Sequence, residues 1–406
     1  MLNFPTHYNL TKTSDAQQLD VKYMEVVHMI LKNRLKQVAI LFALILFTLL
    51  PSVDAQPDAD YENLNLRVLE SIDRGLEWLR LQQGSDGLFH DHPGLTALAI
   101  TTFLKHPQNK FAEMDHPFIQ KTIKALLDMQ QPSGAIYDID KQPVLPNYNT
   151  SVALMALSST KNPEYNEPIT KAQDFIKSLQ VPDTDDVYFG GIGYGSRETV
   201  HDLSNLNFAI QALKESGSDD EEVWDKAIQF LERCQNNSET NDRDWSGDDG
   251  GFIYAPDGES KAGTDENGRP RSYASMTYAG VLSFVYANVD KNDPRVQAAV
   301  DWLKKHFTVE ENYGMGKQGL FYNYHTMAKA LKIYGEPTIT DAKGIPHDWY
   351  RELAEKLITE QVLLKPTNEK QNPQGYWQNE ESRWMERDPV LVTSYAILAL
   401  ATAYPQ

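Results

Sequence analysis

The stretch Arg74-Gly-Leu-Glu-Trp-Leu-Arg-Leu-Gln-Gln-Gly-Ser-Asp-Gly-Leu-Phe89 decides the fold, because it contains most of one repeated unit. Apolar residues before and within it recur at the spacing of an amphipathic helix: Val68, Leu69, Ile72, Leu76 and Leu79. The helix should end near Gln83. Gly84 and Gly87 follow, and glycine takes a left-handed cap or tight turn without steric cost.

A second apolar run follows this turn, and it has almost no polar face. Phe89 anchors the turn, and the run extends from Leu95 to Leu104. A helix that is apolar on all sides is expected to be buried. One amphipathic helix, a glycine-aromatic turn and one buried helix together predict an αα-hairpin.

The same order of segments recurs along the chain, which predicts six hairpins. The later buried runs are expected at 151–157, 203–213, 273–286, 325–333 and 390–404. Six such units can close into a double ring in which the first helices face solvent and the second helices line the centre. The sequence therefore predicts an all-α fold, an (α/α)6 toroid over residues 65–406.

The repeat resembles the "QW" repeat of squalene-type terpene cyclases. Its pattern is Arg/Lys-Gly/Ala, two residues, aromatic-aliphatic, three residues, Gln, three residues, Gly, one residue, aromatic. Arg74 to Phe89 fits throughout, with Phe89 where tryptophan is usual, and the copies at 226–252 and 354–377 fit more loosely. Protein prenyltransferase β-subunits share this toroid, so the resemblance over roughly residues 65–404 implies the fold. It does not assign chemistry, which depends on the side chains placed on the ring.

The composition and charge of the chain limit the classes of partner that it could bind. The chain has 406 residues, of which 41% are apolar, enough for the core of one closed toroid. The net charge of −19 argues against nucleic acid or an anionic membrane surface as partner. Cys234 is the single cysteine, so no intrachain disulfide can form, and we expect it to be a buried apolar residue of the fourth first helix.

The N-terminal 55 residues predict export. Lys32, Arg34 and Lys36 precede the apolar run 38–50, and small residues follow up to Ala55. This order is typical of a secretory signal peptide, and the run is too short to span a bilayer. We expect cleavage after Ala55, a linker at 56–64 and a periplasmic or extracellular mature chain without a transmembrane segment. An uncleaved membrane anchor is the alternative, and Met29 would be a conventional start.

Candidate functional residues lie where the second helices begin. If the ring closes, these starts meet at one mouth of a central funnel. The candidate catalytic residues are Asp202, Asp388 and His325. The candidate ligand-binding residues are Asn149, Asn205, Tyr273, Tyr278, Tyr322, Tyr324 and Trp384. Two alternatives stay open, because aspartate also suits a helix N-cap and buried tyrosine also suits core packing.

The resemblance also implies which chemistry is missing. Squalene–hopene cyclases carry Asp-x-Asp-Asp-Thr at the start of an inner helix, and its middle aspartate protonates the alkene. The nearest match here is Asp202-Leu-Ser-Asn-Leu206, which places Ser204 at the donor position, and serine is not an acid. The pair Asp248-Asp249 could substitute, or it could form only a turn.

Protein prenyltransferases hold zinc with Asp-x-Cys and a histidine. Ala274 and Met276 occupy the Asp and Cys positions here, so His325 would remain as a lone ligand. We therefore expect no metal and no cofactor. Three functional classes stay open: a binding or scaffold module for a small hydrophobic or extended ligand, a terpenoid or lipid cyclase or isomerase with non-standard acids, and an (α/α)6 carbohydrate-active enzyme.

Overall fold

The computed structural model describes residues 59–90, 92–111, 115–140, 144–195, 201–366 and 371–405. The expected signal peptide and its cleavage point at Ala55 lie outside this part of the chain. Twelve α-helices occur in the described residues, and four short strands form two antiparallel pairs. The helices are α1 Ala59–Arg80, α2 Pro93–Leu104, α3 Pro117–Asp128, α4 Pro146–Ser159, α5 Asn166–Ser178, α6 Leu203–Glu215, α7 Glu221–Cys234, α8 Ala274–Tyr286, α9 Pro294–Lys305, α10 Leu320–Tyr334, α11 Trp349–Glu360 and α12 Pro389–Ala403. The strands are β1 Ile339–Thr340, β2 Pro346–His347, β3 Val362–Leu364 and β4 Gln374–Tyr376.

The even-numbered helices form a closed inner ring. Each of α2, α4, α6, α8 and α10 packs against the next even-numbered helix, and α12 returns to α2. The odd-numbered helices from α3 onward pack outside this ring: α5 and α7 each contact the inner helices before and after them, whereas α3, α9 and α11 pack on α2, α8 and α12, respectively. The prediction of an all-α toroid of six hairpins is confirmed, and residues from Asn63 onward form one compact unit.

Burial follows the hydrophobic pattern of the sequence. Every residue of α2 is buried, as expected for a helix surrounded by other helices. The outer helix α1 is amphipathic: it buries Ile72 and Leu79, whereas Leu66 is exposed. None of the helices in the described ranges is both long and apolar enough to span a bilayer. Cys234 is buried at the end of α7, where the sequence placed it.

Two hydrogen bonds recur in the turns between the helices of a hairpin. The Phe89 N–H donates to Thr96 Oγ1 at 2.9 Å, which joins the turn to the inner helix. The same bond joins later turns to their inner helices, from Ile136 to Thr150, from Phe252 to Thr277 and from Trp377 to Thr393. The glutamine of the repeat joins neighbouring hairpins: Gln83 Nε2 donates to the Phe118 carbonyl at 2.9 Å. Gln361 Nε2 donates to the Ser71 carbonyl at 2.9 Å and so ties the last hairpin to the first.

The repeated glycine is required by close packing. Gly134 has a φ of 92°, and a Cβ there would lie 2.1 Å from the Lys171 carbonyl oxygen. Any other residue would therefore push apart the second and third hairpins.

Three helix starts differ most from the expectation. Helix α1 begins at Ala59, so the described part of the expected linker at 56–64 is helical. Helix α4 begins at Pro146, and Pro at the first helical position needs no N–H partner. Helix α10 begins at Leu320, five residues before the expected start at 325, because Gly319 takes a left-handed conformation at the N-cap.

Candidate functional site

A cavity of about 340 Å³ lies where the N-terminal ends of the six inner helices meet. Its size lies within the range typical of small-molecule pockets. Its lining is mainly aromatic and aliphatic, and it comprises His92, Leu95, Leu145, Tyr148, Tyr194, Ser204, Asn205, Phe208, Tyr254, Tyr273, Ser275, Met276, Gly319, Tyr322, Trp384, Met385, Glu386, Leu391 and Tyr395. The inner helices therefore run in the same direction, and their starts form one mouth.

Four of the predicted ligand-binding residues line this cavity: Asn205, Tyr273, Tyr322 and Trp384. The other three are buried outside its lining: Asn149, Tyr278 and Tyr324. Tyr324 serves the core, because its hydroxyl donates to the Val309 carbonyl at 2.7 Å. The ligand-binding roles of all seven residues stay predictions.

Asp202 caps helix α6 and lies behind the cavity wall. Its Oδ1 accepts the Asn205 N–H at 2.9 Å, and its Oδ2 accepts from Asn205 Nδ2 at 2.8 Å. Burial raises the pKa of Asp202 to about 6, although the bonds from Asn205 and Tyr254 lower it in part. The Tyr254 hydroxyl in turn pairs with the Tyr194 hydroxyl at 3.1 Å. Asp202 thus supports a polar part of the wall formed by Asn205, Tyr254 and Tyr194.

Asp388 caps helix α12 beside the junction of the last and first hairpins. Its Oδ1 accepts the Val390 N–H at 2.8 Å, and its Oδ2 lies 2.9 Å from His90 Nδ1. His92, two residues after His90 in the sequence, lines the cavity. Burial lowers the pKa of His92, and the nearby Asp388 opposes this effect. The structure therefore shows the N-caps for both aspartates, and neither carboxylate is part of the cavity lining.

His325 lies deeper in the ring than expected, because α10 starts a full turn before it. Its ring stacks on Tyr395 with centroids 5.5 Å apart, and it is not part of the lining. Burial lowers the pKa of His325 well below its ordinary value, and Lys329 and Lys105 lower it further. The imidazole is consequently neutral near pH 7. The catalytic roles of Asp202, Asp388 and His325 stay predictions.

Sequence reasoning missed Glu386, a buried carboxyl that lines the cavity. Its Oε1 accepts the Tyr322 N–H at 2.8 Å, and its Oε2 accepts from Asn379 Nδ2 at 2.8 Å. Burial raises the pKa of Glu386 to about 7, while these bonds and the N–H groups at the start of α10 oppose the increase. Glu386 lies in an irregular loop outside the helical repeat, so periodicity carries no signal for it.

The turn before Glu386 is strained. Trp384 has a φ of 54° and Met385 a φ of 62°, and side chains other than glycine rarely adopt this left-handed region. Trp384 is held from one side by the Arg383 guanidinium, 4.3 Å from the ring centroid. The backbone of Gly319 also lies close to this ring, because a Cβ there would be 3.2 Å from it. Trp384 and Met385 are both partly exposed and both line the cavity, so this turn covers part of the mouth.

The alternative acid pair Asp248-Asp249 lies outside the cavity lining, whereas Met276, one of the two positions matched to zinc ligands, lies in it. Asp248 Oδ1 accepts the Ser238 N–H and hydroxyl, and Asp249 Oδ1 accepts the Gly251 N–H, so this pair organises its own loop outside the cavity lining. In the described ranges, no three His, Cys, Asp or Glu side chains form a group suited to a metal ion.

Comparisons with known proteins bear on the fold. No family profile matches this sequence. No curated protein matches it either. The chain is similar to the solved structure of MstE, a type II terpene cyclase from Scytonema, in an Asp-to-Ala variant bound to its product merosterolic acid A. The TM-score is 0.50 at 12% identity over 85% of this chain and 99% of MstE.

A second MstE structure, an Arg-to-Ala variant bound to its substrate geranylgeranyl dihydroxybenzoate, matches with a TM-score of 0.48 at 11% identity. It covers 85% of this chain and 99% of MstE. At such low identity, the likeness to the product complex shows the fold alone: this chain has a terpene-cyclase-like α/α toroid.

Proposed function

We propose that this chain binds a hydrophobic, isoprenoid-type ligand in the cavity at the mouth of the inner ring. The observation that carries the proposal is the lining: all six inner helices or their caps contribute, and most of the side chains are aromatic or aliphatic. Transfer of apolar ligand surface from water into such a site contributes about 25 cal/mol per Å². The MstE structure of similar fold holds a terpenoid product, which motivates the choice of probe.

The lining also separates this function from the other two classes. Polysaccharide binding usually relies on many polar side chains, whereas this lining has, apart from six tyrosines, five polar residues: His92, Ser204, Asn205, Ser275 and Glu386. A terpenoid or lipid enzyme with a non-standard acid is the second candidate. It is favoured by the two carboxyls with raised pKa at this end of the ring, Asp202 and Glu386. For the binding protein and the enzyme alike, the positions of the sequence that match the standard cyclase acid motif and the zinc ligands hold other residues.

Blocking the cavity tests the binding proposal. Geranylgeraniol and squalene serve as probes, and binding is followed by the fluorescence change of the tryptophans. Ser204→Trp places a large ring in the cavity wall, and we expect its affinity to fall at least about tenfold, which corresponds to about 1.4 kcal/mol. Ser178→Trp, at the exposed end of α5, is the matched control and should bind like the wild type. Failure of the wild type to bind either probe would contradict the proposal.

We also propose that the protein is exported. The support is the basic and apolar order of residues 32–50, followed by small residues up to Ala55. N-terminal sequencing of the mature protein from its native host should start near Gln56. A mature chain that starts at Met1 or Met29 and remains in the cytosol would contradict this proposal.

A further inference from the structure

We propose that the Tyr273 hydroxyl binds an oxygen atom of the ligand, so that the cavity selects hydrophobic molecules that carry an uncharged oxygen group, such as an alcohol, an ether or a ketone. This inference rests on the proposed function, because it needs a hydrophobic ligand in that cavity. It goes further by naming the side chain that binds the polar group of the ligand and the chemical class of that group.

The first support is the pairing of the tyrosine hydroxyls in the cavity. Six tyrosines belong to the lining. The hydroxyls of Tyr148 and Tyr395 lie 3.4 Å apart, and those of Tyr194 and Tyr254 lie 3.1 Å apart. Each of these four hydroxyls therefore has a protein partner when the cavity is filled.

The two remaining tyrosines of the lining differ from each other. The Tyr322 hydroxyl accepts from Asn207 Nδ2 at 3.4 Å. No hydrogen bond joins the Tyr273 hydroxyl to any other residue that the structure describes, although Tyr273 is only 1% exposed. The five other polar residues of the lining each bond to another protein group: His92, Ser204, Asn205, Ser275 and Glu386. Of the six tyrosine hydroxyls, that of Tyr273 is the one left for a ligand.

The second support is the consequence of filling the cavity. A ligand that occupies it excludes water from the Tyr273 hydroxyl. A buried hydroxyl without a hydrogen-bond partner is destabilising, whereas one that donates to a ligand oxygen is satisfied. A pure hydrocarbon would leave this hydroxyl unpaired, so the site discriminates against molecules that lack an acceptor at that point.

The third support is the fixed position of Tyr273. Its N–H donates to the Phe252 carbonyl at 3.3 Å, and its carbonyl accepts from the Thr277 hydroxyl at 2.9 Å. It is the N-cap residue of α8, and its φ of −146° is extended. Gly314 packs against it, since a Cβ at Gly314 would lie 3.0 Å from the Tyr273 Cβ. A donor on such a rigid backbone loses little freedom when it binds, which favours affinity.

The charges around the cavity favour an uncharged oxygen group. None of the described residues in the lining is a lysine or an arginine. The carboxyl groups of Glu386, in the lining, and of Asp202, behind the wall, are both buried. A phosphate or carboxylate of the ligand would therefore be buried without a cation, which is unfavourable. Burial also raises the pKa of Tyr273 well above its ordinary value, so the hydroxyl keeps the proton that it donates.

A comparison of two probes in two proteins tests the inference. The probes are geranylgeraniol and its deoxy analogue, in which hydrogen replaces the hydroxyl group, and binding is followed by tryptophan fluorescence. Tyr273→Phe removes only the phenolic oxygen. We expect the variant to bind geranylgeraniol about tenfold more weakly than the wild type does, and to bind the deoxy analogue equally well or up to about threefold more tightly. Because each probe is compared between two proteins, the different hydrophobicity of the two probes cancels.

Two further variants separate the Tyr273 hydroxyl from the general effect of a Tyr-to-Phe change. Tyr286→Phe alters the last residue of the same helix, where the hydroxyl bonds to Glu215 outside the cavity lining, and both affinities should stay within about twofold of the wild type. Tyr395→Phe removes a hydroxyl of the lining that already pairs with Tyr148, so it should change the affinities for the two probes by the same factor.

A third probe tests the class of the polar group in the unaltered protein. Geranylgeranyl diphosphate has the same hydrocarbon chain with an anionic group in place of the hydroxyl. We expect the wild type to bind it at least about tenfold more weakly than geranylgeraniol, because the described lining offers it no cationic side chain.

The outcomes distinguish this inference from the proposed function. Equal effects of Tyr273→Phe on geranylgeraniol and its deoxy analogue would overturn the inference and leave the binding proposal intact. Tighter binding of the diphosphate than of the alcohol would do the same, because the polar group would then be an anion. Failure of the wild type to bind any of the probes would instead overturn the proposed function, and the inference with it.

Discussion

The two ends of the inner ring each hold a glutamate, half-buried in the case of Glu215 and buried in the case of Glu386, and their pKa values are shifted in opposite directions. Near the C-terminal ends of α2 and α6, Glu215 accepts from Lys105 Nζ at 2.5 Å and from Lys329 Nζ at 2.9 Å. Burial alone would raise the pKa of Glu215, but the two lysines outweigh it and hold that pKa well below its usual range. At the other end, burial raises the pKa of Glu386 to about 7.

The difference lies in the partners and not in the residue type. Glu215 has two cations, so its charge is satisfied inside the ring and its role is structural. Among the residues that the structure describes, the hydrogen-bond donors to Glu386 are neutral, and Glu386 borders an aromatic cavity. A buried carboxyl without a cation at a cavity is a candidate for proton transfer. The two ends of the ring therefore differ in how their carboxyls are stabilised, by two lysines at one end and by neutral N–H groups beside the cavity at the other.

The largest expected effect is at the structural end. Glu215→Ala leaves Lys329, only 10% exposed, without its carboxylate. Removal of one partner from a fully buried ion pair costs about 3–5 kcal/mol, and because the side chains of this pair are 10% and 19% exposed we expect a loss at or below the lower end of that range. Urea unfolding should show a loss of this size for Glu215→Ala and a much smaller one for Glu386→Gln at pH 6. Equal losses for the two variants would break the distinction between the two ends.

The next effect is the pH dependence of stability. In the unfolded chain Glu386 loses its proton near pH 4.5, and in the folded chain near pH 7, so the folded state binds more protons between these values. The free energy of unfolding should therefore fall as pH rises through this window, by about 3 kcal/mol from this group. Glu215 acts in the opposite sense: its stabilisation is present above pH 4.5 and is lost as pH falls through its lowered pKa.

Comparison of the wild type with Glu386→Gln isolates the contribution of Glu386. Unfolding free energies are measured between pH 5 and 8. In the variant, the free energy of unfolding should fall less steeply with rising pH, because the contribution of Glu386 is missing. Asp202, whose pKa is raised to about 6, contributes a similar slope that both proteins keep. A slope that is identical in the two proteins would contradict the assignment.

A smaller effect is expected at Asp202, and it distinguishes a cap from a ligand contact. Asp202→Ala removes the oxygen that accepts the Asn205 N–H, and loss of an N-cap costs about 0.5–2 kcal/mol. Asp202→Asn still caps α6 and should keep most of the stability. Probe affinity should change little in the Asn variant, because Asp202 does not line the cavity. A large loss of affinity with unchanged melting temperature would place Asp202 in the binding site after all.

The smallest effect concerns the strained turn. Met385→Gly relieves a left-handed φ of 62° and should change stability by less than about 1 kcal/mol, because glycine also loses more entropy on folding. The control Met129→Gly, at the C-cap of α3 with a φ of −88°, has no strain to relieve and should be destabilised by about 0.5–1 kcal/mol. Thermal unfolding compares the two. Equal destabilisation would show that the turn stores no strain.

Sequence periodicity predicted the toroid because the determinants of the fold are local and repeated. The hairpins, the glycine at each tight approach and the glutamine contacts all recur, so a single unit such as Arg74 to Phe89 represents the others. Asp202 and Asp388 could be recognised as caps for the same reason, since a cap is a local feature at a helix start.

The candidate site was predictable only in part, because it depends on contacts between distant segments. His325 was expected at the mouth, but the left-handed Gly319 starts α10 early and moves it one turn deeper. Glu386 belongs to no repeat, and its importance depends on Tyr322, Asn379 and the absence of a cation, which only the folded chain shows. Cavity geometry of this kind follows from tertiary packing and not from spacing along the chain.

The most direct test of the account is the titration of the Glu386 carboxyl itself. The infrared band of protonated carboxyls is recorded in D2O between pH 4 and 9, and the spectrum of Glu386→Gln is subtracted from that of the wild type. The account predicts one protonated carboxyl in the difference spectrum that disappears with a midpoint of about 7. A midpoint at or below 4.5, the ordinary value for glutamate, would show that Glu386 is a carboxylate that caps α10, and would contradict the difference between the two ends of the ring.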